Sequence, residues 1–227
     1  MTSPEQRHTK NIQDRLLKLD GDHAALLDLA HKGLAHPGAP MYELDVLAFG
    51  AAKRAISATS ALKLLVQSWN LVTARTLLRT HIDTALRFSA AWLVDNPHSF
   101  AKKIIAGERI DKIKDRKGNL LRDSYLVQCM SDTRPWLPEV YKQLSGFVHF
   151  SGSHVFASVA SLDAEGGVSF HLSEFDLDYP EESWIELIDC FREATEILAH
   201  HLHGYAQTKK LAPEQLAKMR KRHQEKS

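Results

Sequence analysis

Between Tyr42 and Trp69 an apolar side chain returns to one face with each helical turn. Leu44, Ala51, Ala55, Ala58, Leu62, Val66 and Trp69 share a stripe when each residue advances by about 100°. A strand, with its period of two, cannot gather those positions on one side. The stripe predicts a long helix, and its three central alanines leave room for a close helical neighbour. Comparable periodicity runs along most of the chain. A helix is expected from about Asn11 to Leu34, interrupted at Asp20-Gly21-Asp22 and ended by His36-Pro37-Gly38-Ala39-Pro40. Helical character resumes from Leu71 to Val94 and stops at Asp95-Asn96-Pro97. Further helices are expected over Ser99 to Asp115, over Leu120 to Ser131, and through Val140, Tyr141, Leu144 and Phe147 after Pro135 and Pro138.

After His149 the pattern changes. Val155 to Val159 and Val168 to Leu172 read as strands flanking the turn Asp163-Ala164-Glu165-Gly166-Gly167, a hairpin over about 154–173. A last long helix is expected from about Pro180 to Lys209, with Trp184, Ile188, Phe191, Thr195, Leu198, Leu202 and Tyr205 inward. Glu181 and Glu182 open it and Lys209 and Lys210 close it, the charge order its dipole favours. The fold class is all-α: a helical bundle of four or more main helices with a small β-hairpin inserted before the last long helix. Three segments follow: 1–40, an N-terminal helical stretch and linker; 41–210, the bundle; and 211–227, a basic C-terminal tail.

Composition narrows the function classes. The 44% hydrophobic content excludes disorder of the whole chain, and 29 basic against 28 acidic residues exclude a nucleic-acid coat or a polybasic membrane binder. Two distant cysteines, Cys129 and Cys190, exclude a disulfide scaffold and suit a reducing compartment. The first ten residues are polar, and no run approaches the ~18 apolar residues of a membrane span. A cytoplasmic protein without membrane contact is expected.

Two arginines break the amphipathic order of the third helix. With Leu71 at the origin, Leu78, Ile82, Leu86, Ser89 and Leu93 fall within roughly 60° of it, while Arg75 and Arg79 land at about 40° and 80° on the same side. Thr73, Thr76, Thr80, Thr84 and Arg87 form an opposite stripe suited to water. An inward guanidinium needs an anionic or hydrogen-bonding partner, because burying an unpaired charge costs several kcal/mol. Asp83, four residues after Arg79, is the candidate for a structural ion pair; the other partner is an external anion or phosphate.

A second cluster lies at Tyr141, Ser145, His149 and His154. Small and hydroxylated residues (Ser145, Gly146, Ser151, Gly152, Ser153) surround the two histidines and let a ligand approach closely. One helical turn separates Tyr141 from Ser145 and Ser145 from His149, so a helix would align all three. Taken together, Ala74-Arg75-Thr76-Leu77-Leu78-Arg79 with Asp83, and Tyr141-Lys142-Gln143-Leu144-Ser145-Gly146-Phe147-Val148-His149, resemble motifs of uncharacterised bacterial helical proteins related to the HEPN (higher eukaryotes and prokaryotes nucleotide-binding) superfamily. The resemblance covers about Tyr42 to His154. It implies an α-helical bundle, a homo-oligomer, and an association with nucleotides or RNA of the kind found in defence or stress systems.

Ribonucleases of that superfamily are metal-independent and use an Arg four to six residues before a His. His149 matches that His, but Gln143 and Leu144 stand upstream and Lys142 is the only basic residue there, so the motif is degenerate. Arg75 and His81 meet the spacing literally, yet six residues place them about 120° apart on a helix. The resemblance implies phosphate held by Arg75 and Arg79, a pocket lined by Tyr141, Ser145, His149 and His154, and His149 as acid or base if chemistry survives. No cofactor and no metal are expected. His200 with His203 invites a metal reading, but HExxH is absent and both fall on the outer face of the last helix. His149 with His154 and His171 is a slightly better cluster, since the hairpin could fold His171 back. The competing reading is a non-enzymatic module that forms a homodimer or binds a partner through the alanine-rich helix or the last helix.

Overall fold

The computed structural model describes residues 8–35, 41–211, 214, 215 and 218. The linker His36–Pro40 and most of the basic tail therefore lie outside the described residues. The α-helices named among the described residues are, in chain order, α1 (Lys10–Asp28), α2 (Glu43–Gln67), α3 (Leu71–Ser89), α4 (Pro97–Ile105), α5 (Asp123–Met130), α6 (Leu137–Val148), α7 (Gly152–Ala157) and α8 (Glu181–Thr208). Strands β1 (Val159–Leu162) and β2 (Val168–Phe170) pair antiparallel between α7 and α8. The architecture is an all-α bundle with one small hairpin before the last long helix. No helix among the described residues is long and apolar enough to cross a membrane.

Several boundaries differ from the sequence expectation for identifiable reasons. α1 runs unbroken through Asp20-Gly21-Asp22 and continues as a π-helical turn, Leu29–Leu34. The two acids there serve as pins: Lys63 on α2 reaches Asp20 at 2.7 Å, and Arg192 on α8 reaches Asp22 at 2.6 Å. The helix expected over Ser99 to Asp115 ends at Ile105. Gly107 takes the left-handed conformation (φ 91°), its N–H bonds Ile104 and the Glu108 N–H bonds Lys103, the paired closure that terminates a helix. Val155 to Ala157 are helical rather than extended, because the Ser151 carbonyl accepts the N–H groups of both His154 and Val155. The ribbon is accordingly shorter than the hairpin expected over 154–173.

The core forms around α3, which packs against α2, α6 and α8. α2 supplies Ala48, Ala52, Ala55 and Leu62, and α8 supplies Trp184, Ile188, Phe191, Leu198 and Leu202, all essentially fully buried. The alanine stripe of α2 and the apolar stripe of α8 are thus buried inside the bundle. α1 belongs to the same core through Ile12, Leu16, Leu19 and Leu26, so the boundary at residue 40 does not divide the packing.

Polar closures hold the helix ends. The α2–α3 corner passes through Trp69 in the left-handed region (φ 58°), and the Asn70 carboxamide caps the Thr73 N–H at 3.0 Å. Asp176, from the segment before α8, donates its N–H to the Trp69 carbonyl at 2.7 Å and accepts the Val72 N–H at 3.0 Å. At the opposite end of the bundle Asp45 is fully buried. Its carboxylate accepts the Tyr42 N–H (2.8 Å) at the start of α2 and the Lys209 ammonium (2.7 Å) at the end of α8. Lys209 also reaches the Leu34 carbonyl at 3.0 Å, tying the π-helical turn to the same point.

Replacing Asp45 leaves the Lys209 charge buried and uncompensated. Asp45→Ala is expected to destabilise the fold by about 3 kcal/mol or more in urea unfolding. The half-exposed Lys63–Asp20 pair sets the contrast: Asp20→Ala is expected to cost less than about 1 kcal/mol.

Candidate functional site

The stripe of α3 expected to face water is covered instead. α5 and α6 lie over it, leaving Thr84 buried and Thr76 and Thr80 half-buried; only Thr73 and Arg87 stay exposed. Each covered hydroxyl finds a carbonyl: Thr80 bonds Leu77 and Thr84 bonds Thr80, both at 2.9 Å, within the helix. Thr76 reaches across and donates to the Phe147 carbonyl at 2.8 Å, one of the open carbonyls at the end of α6. The Ser151 hydroxyl takes the Gly146 carbonyl at 2.6 Å. These two bonds end α6 at Val148 and turn His149 into extended backbone (φ −116°, ψ 147°).

That termination separates the residues expected in one pocket. Tyr141 and Ser145 are helical, but His149 lies past the helix end and is exposed, so the turn-by-turn alignment stops short of it. Ser145 is also exposed, and its hydroxyl is spent on the Tyr141 carbonyl at 2.9 Å. Tyr141 points inward. Its phenol accepts from the Arg79 guanidinium and donates to Asp83 at 3.0 Å, while Arg79 pairs directly with Asp83 and stacks over the Tyr141 ring at 3.6 Å. Arg79 is only 9% exposed. Burial, followed by the Asp83 charge, raises the Tyr141 pKa and keeps the phenol protonated. Arg79, Asp83 and Tyr141 form a neutral internal triad, and Arg79 is not presented to an outside anion.

Arg75, one turn earlier, has a different environment. It is half-buried, with its guanidinium 5.1 Å from the centroid of the Phe147 ring and 5.0 Å from that of Tyr179. Among the described residues no carboxylate pairs with it and no acceptor takes its N–H groups. Two ring faces about 5 Å from a guanidinium stabilise its charge without using its N–H donors, which remain for a ligand. Phe147 also contacts the His154 ring (5.8 Å between centroids), and His154 lies against Phe150 at 5.9 Å. Tyr179, Arg75, Phe147, His154 and Phe150 therefore make a continuous row of planar groups, linking α3, the end of α6, α7 and the segment that leads into α8.

Sequence reasoning placed Arg75 and His154 in the site and missed the two flanking rings. Phe147 sits inside the quoted motif, but only the termination of α6 shows it turned to Arg75. Tyr179 carries no motif; Pro180, the N-cap of α8, fixes its position. The remaining candidates lie apart. His81 is 1% exposed, stacked on Phe191 at 4.0 Å and bonded to the Thr195 hydroxyl at 2.8 Å, a core histidine. Arg116, in the basic run before α5, caps the end of the α3 region by donating to the carbonyls of Trp92, Leu93 and Val94. His171 turns to the Phe175 carbonyl (3.3 Å) and Asp178 (3.7 Å), away from His154. Among the described residues no cluster of three His, Cys, Asp or Glu side chains is arranged to hold a metal. Burial, then Glu186, Asp189 and Glu193, push the Cys190 thiol up to about 12, far from thiolate chemistry. A cleft of about 420 Å³ opens beside Trp92, Leu126, Met130 and His201, where Arg134 is held by Glu196 at 3.0 Å.

No family model matches the chain, no curated protein matches it, and no solved structure matches it.

Two outcomes follow from this geometry. Asp83→Ala strands the buried Arg79 charge and is expected to cost about 3–5 kcal/mol in chemical unfolding, whereas Arg75→Ala is expected to cost less than about 1 kcal/mol. Burial, with a smaller contribution from Arg54, lowers the His81 pKa to about 3. The folded state thus favours the neutral ring, so this stabilisation is complete above the ordinary histidine pKa. It is lost as pH falls from about 6.5 towards 3, by on the order of 4 kcal/mol. His81→Gln is expected to remove that part of the pH dependence of unfolding.

Proposed function

We propose that the chain is a HEPN-like, nucleotide- or RNA-associated protein whose ribonuclease motif is degenerate, and that Arg75 is its phosphate ligand. The observation that carries this reading is the Arg75 guanidinium, unpaired among the described residues and set against the rings of Phe147 and Tyr179. A planar cation with its edge free matches two phosphate oxygens at once, and the neighbouring rings offer faces on which a base stacks. At the N-terminus of α3, one turn from Arg75, the Val72 and Thr73 N–H groups are already taken by Asp176 and Asn70.

Charge distribution limits the ligand's size. No lysine or arginine occurs between Lys142 and Arg192, so this face meets few phosphates. A mononucleotide or a short unpaired strand fits that condition better than a duplex. Chemistry is a weaker expectation. His149 is exposed, outside the Arg75 row, and without an arginine at the required spacing. The protein is read as a binder.

Fluorescence anisotropy with a labelled single-stranded oligoribonucleotide, competed by nucleoside monophosphates, tests the proposal. Arg75→Ala is expected to weaken binding about tenfold or more and to lower the salt slope by roughly 0.7 for the lost contact. His149→Ala is expected to leave both binding and RNA integrity unchanged. A wild-type protein that binds neither probe, or Arg75→Ala binding like wild type, contradicts the reading.

A further inference from the structure

The segment between α6 and α8 ends in a ribbon that its own chain does not cover. In the register Val159 opposite Phe170, Ser161 opposite Ser169 and Leu162 opposite Val168, the pleat sorts the side chains by face. Val159, Leu162, Val168 and Phe170 share one face, and the two serines, bonded to each other, share the other. Leu172 continues the alternation from Phe170. Apolar faces of antiparallel sheets ordinarily lie against a core. Here Leu162 is 70%, Phe170 61% and Leu172 88% exposed, and Val168 is exposed as well. On α7, which leads into the ribbon, Phe156 and Val155 are exposed too. A lone two-stranded ribbon is marginal in water, so this one needs a cover.

We propose that the apolar face of this ribbon is a dimerisation surface, and that its occupant is the same face of a second copy of this chain. Charge selects against other classes of partner. The stretch from Gln143 to Phe191 contains no lysine or arginine, and the turn at the ribbon's tip carries Asp163 and Glu165. Nucleic acid and anionic lipid surfaces are attracted to basic residues, and this segment offers none. Size suits a dimer: the exposed apolar side chains of α7 and the ribbon offer roughly 800 Å² per copy, the share each partner brings to a standard interface. Symmetry then fits self-association. A two-fold axis sets Leu162, Val168, Phe170 and Leu172 against the same four residues, so one face supplies both halves of the contact. The acidic tip stands at the end of the ribbon, outside that apolar face. The inference rests on the ribbon and the exposed side chains of α7 and is independent of what Arg75 binds.

Sedimentation equilibrium of the full chain tests it. Wild type is expected to be a dimer at low micromolar concentration. The double variant Phe170→Asp, Leu172→Asp sets like charges against one another across the two-fold and is expected to weaken association by about a hundredfold or more. Both residues are exposed in the single chain and lie outside the helical core, so the helical far-UV circular dichroism of the monomeric variant should match wild type. Leu17→Asp, at an apolar residue on α1 that is 67% exposed, should leave the dimer intact. A wild type that stays monomeric at its highest soluble concentration overturns the proposal. So does a dimer that survives the double substitution, or one abolished by Leu17→Asp.

Discussion

Everything in this fold turns on enclosing α3 on both its apolar and its polar sides. A helix carrying Thr76, Arg79, His81, Asp83 and Thr84 can be covered only if each of those groups meets a partner. The partners come from three directions: Tyr141 of α6 for the Arg79–Asp83 pair, Thr195 of α8 for His81, and the helix's own carbonyls for Thr80 and Thr84. Asp176 and Asn70 close its first turn. Because those requirements are met internally, the arginine left unmet stands out. Among the described residues the half-buried Arg75 has aromatic neighbours and no acid, in a helix whose other arginines are paired with Asp83 and Asp123.

Helical periodicity made most of the architecture legible. The stripe Leu44 to Trp69 is buried as expected, as is the inward face of the last helix, and the hairpin stands before that helix. Errors arose where local composition and tertiary pairing disagreed. Asp20-Gly21-Asp22 has the composition of a break, but ion pairs to Lys63 and Arg192 hold it in the helix. Thr76, Thr80 and Thr84 look like a wet stripe, yet hydroxyls bonded to carbonyls bury at little cost, and sequence alone does not reveal that α6 will cover them. The candidate site was half legible for the same reason. Arg79 with Asp83 follows from four-residue spacing; the rings around Arg75 come from segments 72 and 104 residues later in the chain, which no local pattern connects.

The charge map separates two surfaces that share one connecting segment. Near its base, Phe147 and His154 extend the Arg75 row; farther along, the ribbon offers apolar side chains and an acidic tip. The absence of lysine and arginine from 143 to 191 shapes both. Under the two proposals, it limits the Arg75 row to ligands with few phosphates and leaves the ribbon to a protein contact.

The account depends most on the assignment of opposite fates to two arginines one helical turn apart. Nitrogen-detected NMR of the arginine side chains during titration with a nucleoside monophosphate separates them directly. The Arg75 Nε–H resonance is expected to shift progressively to saturation, while that of Arg79 stays fixed inside its triad with Asp83 and Tyr141. A titration that moves Arg79 and leaves Arg75 still, or that moves neither, contradicts the account.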